Sequence, residues 1–319
     1  MTIKYSFIVP IYNDACLAEE FCMDFEKGFK NYLQKENISE FVELIFVNDG
    51  SKNDSISTLK TLAARFSFVK VVDLSRNFGQ HIALSCGYKF ASGNFVGMLN
   101  VDQQEPVSEI FVLLNHFKNN DVDIVYGLRG FRNSSFGDKF SSYIFNVVLN
   151  KLTGNKTPLN IATIRIMNRR FADAYNSLNE KSRYIPGLEA WLGFKQGYVD
   201  IIHKERTKGK SSYNFKKRLL MSIDSIISFS DLPLKLIAMF GIFIALIGFG
   251  LTFYLLITKL FFVKYQPGYT STVSIITFIG GVQIMVIGLA ALYIGRILKE
   301  VQNRPLYIIR EKINFAADV

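Results

Sequence analysis

Cysteine and histidine are scarce, three of each among 319 residues, and tryptophan occurs once. Cys16, Cys22 and Cys86 show no CxxC or histidine-rich spacing. That pattern argues against a disulfide framework or a thiolate metal site, and small buried apolar residues in a reducing compartment are expected. The glycine-rich phosphate cradles GxGxxG and GxxxxGK(S/T) do not occur, so any bound nucleotide is held in another way. The opening residues lead directly into a strand pattern, so no signal peptide is expected. Acidic residues are fewer than basic ones, 27 against 37, for a formal charge of +10. Such a balance admits nucleic acid, anionic lipid or a phosphorylated substrate, and equally a solvated basic face.

Charge is missing altogether from residues 236–258 and from residues 265–295. At about 1.5 Å per residue, either stretch can cross a hydrocarbon core about 30 Å thick. Lys216, Lys217, Arg218 and Lys235 precede the first stretch, while Arg296, Lys299, Arg304, Arg310 and Lys312 follow the second. The intervening loop holds only Lys259 and Lys264, so both ends are expected on the cytoplasmic side. Gly281, Gly288 and Gly295 leave a smooth stripe suited to close helix packing. Over residues 215–227, Leu219, Leu220, Ile223, Ile226 and Ile227 alternate with Lys216, Lys217, Arg218 and Asp224. That pattern suits a helix lying on the membrane surface, or one packed on a soluble core. The expected organisation is a catalytic domain over 1–213, an amphipathic segment over 214–233, a two-helix transmembrane hairpin over 234–295 and a cytoplasmic tail over 296–319. The tail carries apolar residues that can pair subunits, and a dimer or tetramer is expected. Basic residues gather near the apolar stretches rather than along one recognition element, which argues against nucleic acid as a partner.

The first 213 residues alternate short apolar runs with helix-period segments. Strands are expected at 6–11, 43–47, 69–74, 95–100 and 123–126. Helices are expected from Leu17, Phe21, Phe25 and Phe29 at spacing four, and over 56–66, 82–90 and 107–117, the last opened by Pro106. Strand–helix alternation with all-apolar strands predicts an α/β fold with a mostly parallel sheet covered on both faces. Ligands of such sheets bind beyond the carboxyl ends of the strands. Polar clusters stand at those ends: Tyr12-Asn13-Asp14, Asn48-Asp49-Gly50-Ser51, Arg76-Asn77-Phe78-Gly79 and Asn100-Val101-Asp102-Gln103-Gln104.

Val9-Pro10-Ile11-Tyr12-Asn13-Asp14 followed by Phe46-Val47-Asn48-Asp49-Gly50-Ser51 resembles the opening of glycosyltransferase family 2. Leu74-Ser75-Arg76-Asn77-Phe78-Gly79, Asp102-Gln103-Gln104-Glu105-Pro106, Arg165-Ile166-Met167 and Gly209-Lys210-Ser211-Ser212-Tyr213 continue the pattern in order. The two terminal apolar stretches, with Gly295-Arg296 and Arg304-Pro305-Leu306-Tyr307, are similar to the bacterial polyprenyl-phosphate branch, relatives of dolichol-phosphate mannose synthase. The resemblance implies a GT-A (nucleotide-diphospho-sugar transferase) fold. It also implies inverting transfer of a hexose from a nucleotide sugar to undecaprenyl phosphate at the cytoplasmic face of a bacterial inner membrane.

On the same resemblance, Pro10, Tyr12, Asp14, Val47, Asp49 and Val101 belong to the nucleotide-sugar site. Asn100, Asp102 and Gln104 fall on the family's metal element, for Mg²⁺ or Mn²⁺, where hard oxygen ligands are apt. Arg129 and Arg206 match positions that contact the donor diphosphate, which guanidinium pairs bidentately. Arg132, Lys139 and Ser142 fall near the acceptor-phosphate loop. Taken without the family, Asp49-Gly50-Ser51 is a plain strand-end turn, Asp102 a cap for the helix near Pro106, and the basic residues solvated charges. Two positions depart from the pattern: Asn100 stands for an aspartate, and Thr163 stands where many relatives carry an acid. A non-catalytic scaffold that binds nucleotide sugar or lipid phosphate is the alternative these departures leave open. A processive polysaccharide synthase is disfavoured, since Trp191 lies in Glu189-Ala190-Trp191-Leu192 and no Gln-x-x-Arg-Trp element occurs.

Overall fold

The computed structural model describes residues 3–35, 37–129, 158, 160–181, 183–203 and 268–315, and the isolated positions 239, 240, 243, 250, 254, 257 and 261. The chain divides into two compact units, Met1–Asn214 with Pro305–Val319, and Phe215–Arg304.

The first unit is built on eight strands: β1 (Tyr5–Ile11), β2 (Val42–Asn48), β3 (Val69–Leu74), β4 (Phe95–Met98), β5 (Ile124–Arg129), β6 (Ile161–Asn168), β7 (Gln196–Ile201) and β8 (Ile309–Ile313). They form one sheet in the order β7-β5-β6-β4-β1-β2-β3-β8. β1 runs parallel to β2 and β4, β2 to β3, and β5 to β7. β6 is antiparallel to β4 and β5, and β8 is antiparallel to β3. The sheet is therefore mixed with a parallel majority, and the expected α/β class holds. β6, β7 and β8 carry alternating or charged sequences and had no all-apolar run to announce them.

Among the described residues of the unit, the α-helices are α1 (Ala18–Leu33), α2 (Ser55–Arg65), α3 (Gln80–Phe90), α4 (Glu109–Asn119), α5 (Arg169–Asn176) and α6 (Ile185–Trp191). Phe21, Phe25 and Phe29 recur at spacing four, so one face of α1 presents three rings. All three are fully buried, against Phe7 of β1 and Phe46 of β2, with ring centroids 4.7–6.3 Å apart. Burying each such side chain stabilises the fold by about 1.5–3 kcal/mol. Glu19, Glu20, Asp24 and Lys27 occupy the solvent side of the same helix. The helix expected to open at Pro106 begins later, at Glu109, after a turn in which Glu109 and Ile110 donate to the carbonyls of Pro106 and Val107.

In the second unit, α7 (Tyr269–Val301) is the one helix among the described residues long and apolar enough to cross a membrane, over Val282–Val301 at mean hydropathy 1.6. It continues past Gly295 through Arg296, Lys299 and Glu300, because backbone bonding does not stop where apolar composition does. The amphipathic segment 214–233 lies outside the described residues. So does the apolar stretch 236–258, except at the isolated positions.

Candidate active site

Two loops meet at the carboxyl ends of β1 and β2. Beyond β1, Tyr12 is exposed, and its N–H donates to Asp14 Oδ1 at 2.9 Å. Asn13 adopts φ 63°, a left-handed conformation that asparagine tolerates. Its N–H donates to Ser51 Oγ at 2.9 Å, and Lys52 N–H donates back to its Oδ1 at 2.8 Å. Pro10 is half-buried in β1, and Val47 is wholly buried in β2. Asp49 is buried, and its two oxygens accept the N–H groups of Phe78 and Gly79 at 2.7 and 2.9 Å. Burial pushes its pKa up, and the two N–H groups pull the other way. Asp49 therefore ties the loop after β3 to the end of β2, a role beyond the expected contact with a nucleoside. Gly50 explains how close the two loops come. Its φ is 60°, and a Cβ there would lie 2.2 Å from the Arg76 carbonyl carbon.

The element after β4 forms a second cluster. Val101 is buried while Asn100, Asp102 and Gln104 are half-buried. Gln103 turns through φ 49°, and Gln104 N–H donates to Asp102 Oδ1 at 3.3 Å. α4 is preceded by Ser108 and has no side-chain cap, so Asp102 does not cap it. Glu105, 1% exposed, is the centre of the cluster. Arg129 brings Nη2 to Glu105 Oε1 at 2.9 Å and Nε at 3.3 Å, and His203 Nδ1 stands 3.9 Å from the same oxygen. Thr163 Oγ1 lies 2.9 and 2.7 Å from the two Glu105 oxygens. A carboxylate only accepts, so Thr163 must donate its single hydroxyl proton to Glu105. The lone pairs of Thr163 then accept from Asn100 Nδ2 at 2.9 Å and Arg129 Nη2 at 3.2 Å. This order fixes the Asn100 amide, whose NH₂ faces Thr163 and whose carbonyl oxygen points away. The two departures from the family pattern are thus one hydrogen-bonded unit. Nothing in the spacing of positions 100, 105 and 163 announces it, although Glu105 stands beside Asp102 in the motif.

Beneath this cluster lies a buried polar layer. Arg165 of β6 donates Nη1 to Glu189 Oε2 of α6 at 2.6 Å, and the Tyr126 hydroxyl donates to the same oxygen at 3.0 Å. His81, in the first turn of α3, meets Tyr184 edge-on at 5.8 Å. Burial, and then the Arg165 charge, push the His81 pKa down to about 4 from 6.5. The ring is therefore neutral in the fold at pH values where an unfolded chain would protonate it. Stability should be complete above pH 6.5 and fall as pH drops from 6.5 toward 4, by up to about 3 kcal/mol. Melting curves at pH 7 and 4.5 check this. His81→Gln should flatten the slope, and an unchanged slope would exclude the ring as its source.

Arg132, Lys139, Ser142 and Arg206 lie outside the described residues. Among the described residues, no three His, Cys, Asp or Glu side chains form a metal cluster. The hard-oxygen set available is one carboxylate, Asp102, with the amide oxygens of Asn100 and Gln104.

The family model described as Glycosyl transferase family 2 matches residues 6–175. An uncharacterized glycosyltransferase of Bacillus subtilis strain 168, YkcC, is 35% identical over 97% of this chain and 94% of its own length. The SfII prophage-derived bactoprenol glucosyl transferase of Shigella flexneri is 32% identical over 97% of this chain and 98% of its own length. Among solved structures, glucosyl-3-phosphoglycerate synthase from Mycobacterium tuberculosis, in complex with Mn²⁺, UDP and glucosyl-3-phosphoglycerate, superimposes with a TM-score of 0.51. It is 15% identical, over 72% of this chain and 80% of that one. That likeness shows the fold, the GT-A type.

Proposed function

Because the chain belongs to glycosyltransferase family 2 and is a glycosyltransferase, we propose that it transfers a hexose from a UDP- or GDP-sugar to undecaprenyl phosphate, with inversion, at the cytoplasmic face of a bacterial inner membrane. One observation carries the reading. A polar site at the carboxyl ends of β1, β2 and β4 shares a chain with an apolar helix of membrane-crossing length. Full-length similarity to a bactoprenol glucosyl transferase supports it.

In this reading the loops at Tyr12–Asp14 and Asn48–Asp49 receive the nucleoside, and the segment from Asn100 to Gln104 faces the diphosphate. A phosphate-monoester oxygen of the lipid attacks the anomeric carbon, and the bond from that carbon to the nucleoside diphosphate breaks. A lipid monophosphate, by analogy with phosphoserine, is mostly dianionic at neutral pH, so it needs orientation more than a general base. The threonine at position 163 is compatible with that chemistry. Arg129 is assigned to a donor phosphate, a role supported by its anchoring on Glu105, its one-third exposure and its remaining N–H groups. Arg206 is assigned to the same diphosphate, and Arg132, Lys139 and Ser142 to the lipid phosphate, on sequence alone.

A divalent cation, Mg²⁺ or Mn²⁺, fits the donor chemistry of Asp102, Asn100 and Gln104, since the Asn100 carbonyl is left free by its NH₂ contact with Thr163. When bound it would supply charge compensation to the leaving diphosphate. Asn100→Asp adds a carboxylate to this set and should tighten Mn²⁺ binding in a calorimetric titration. Unchanged binding would place the cation elsewhere.

The reading is tested by incubating the purified full-length protein with undecaprenyl phosphate and a panel of UDP- and GDP-hexoses. A lipid carrying one hexose is expected by mass spectrometry. Absence of lipid-linked product with every donor would overturn it.

A further inference from the structure

The strand that closes one edge of the catalytic sheet comes from the far end of the chain. Only residues 302–308 separate β8 from α7. β8 lies antiparallel to β3, with Glu311 opposite Asp73. Arg310 reaches two groups on the neighbouring strand and its loop: Nη1 donates to Asp73 Oδ2 at 3.2 Å, and Nη2 donates to the Ser75 carbonyl at 2.8 Å. Ser75 N–H donates to the Ile308 carbonyl at 2.9 Å. Both backbone polar groups of Ser75 are therefore held by the tail.

Two routes run from these contacts to the loops of the candidate site. Along the first, the Ser75 loop continues to Phe78 and Gly79, whose N–H groups bind Asp49. Along the second, Asp73, 1% exposed, also accepts Asn48 Nδ2 at 2.7 Å. Asn48 Oδ1 accepts the Ser51 hydroxyl at 2.6 Å, and Ser51 Oγ accepts Asn13 N–H. Arg310, Asp73, Asn48, Ser51 and Asn13 thus form a ladder across β8, β3 and β2 into the loop that carries Tyr12 and Asp14.

We propose that Arg310 is a positioning residue for nucleotide binding, fixing through Asp73 and Ser75 the two loops that receive the donor. The inference rests on reading those loops as the nucleotide-sugar cradle. It does not require Arg310 to hold the fold together. The Arg310 side chain is 59% exposed, so its truncation leaves no cavity in the core. β8 is also anchored independently, by Lys60–Glu311 at 2.7 Å and by Asn314 Nδ2 on the Ala63 and Val69 carbonyls at 2.7 and 2.9 Å. Without Arg310, Asp73 retains the Asn48 amide and Ser75 loses its carbonyl partner. The loops are then free to sample other positions.

The test uses the full-length protein in detergent, titrated calorimetrically with UDP and GDP and separately with undecaprenyl phosphate, below the melting temperature. Arg310→Ala should weaken whichever nucleotide the wild type binds by about tenfold, the equivalent of one charged hydrogen bond. Lipid-phosphate affinity should stay unchanged. Arg310→Lys should fall between, because an ammonium can pair with Asp73 but lacks the fork that also reaches Ser75. Asp73→Asn in the Arg310→Ala background removes the stranded charge and should recover part of the lost affinity.

Nucleotide binding equal to wild type in Arg310→Ala overturns the proposal. So does a parallel fall of nucleotide and lipid affinity with melting temperature, which is the mark of a general stabiliser. Should Arg310→Ala fail to fold, Arg310→Lys decides: weaker nucleotide binding supports the proposal, and wild-type affinity overturns it. A wild type that binds neither UDP nor GDP overturns the cradle reading itself, and this inference with it.

Discussion

Asp102→Ala is expected to lower sugar transfer by on the order of 10²–10³ in turnover, with little change in melting temperature. Asp102 is the one carboxylate in the element spanning Asn100 to Gln104, and its loss leaves only uncharged amide oxygens there. A structural role as helix cap is removed by the fold, since α4 starts at Glu109 with Ser108 before it. Its Oδ1 does accept Gln104 N–H at 3.3 Å, so a small loop adjustment is expected. Turnover and thermal melting, measured on the same preparation, separate the two roles. A variant that melts earlier but transfers sugar within a few-fold of wild type would make Asp102 a loop residue and move the charge-handling elsewhere.

Glu189→Ala should produce the largest loss of stability. Glu189 is wholly buried, and its Oε2 holds both the Arg165 guanidinium and the Tyr126 hydroxyl. Burial works against the Arg165 charge, but the Glu189 carboxylate, together with Tyr88 and Tyr126, outweighs it and holds the guanidinium protonated. Removing the acid strands that cation in the core, which commonly costs about 3–5 kcal/mol. In a domain of this size that corresponds to a melting shift on the order of 10 °C. The double replacement Arg165→Met with Glu189→Leu should recover much of the loss, because two apolar side chains need no partner. A Glu189→Ala variant that melts with the wild type would show that water already satisfies Arg165.

The layer containing Arg165 and Glu189 bears on function through its position. Thr163 and Arg165 alternate on β6, and Arg165 Nε donates to the Thr163 carbonyl at 3.0 Å. Loosening the layer should therefore disturb Thr163, and with it Glu105, Arg129 and Asn100.

Several elements were legible in the sequence because their signals are short-range. Phenylalanines at spacing four fix which face of α1 is buried, and mostly apolar runs mark β1, β2 and β3 within a residue or so. Polar clusters stand where parallel strands end. The family opening over residues 9–14 and 46–51 points to the same end of the sheet. Those features depend on neighbours along the chain, which periodicity reads directly.

The rest was decided by packing between distant segments. Glu105 finds Thr163 and Arg129, 58 and 24 residues away, and Arg310 finds Asp73 across 237 residues. Asp49 is bonded to Phe78 and Gly79 because a glycine at position 50 lets two backbones touch. Whether a carboxylate is an anchor, a ligand or a solvated charge depends on which donors the fold brings within about 3 Å. Side-chain type limits that choice, but only tertiary structure makes it.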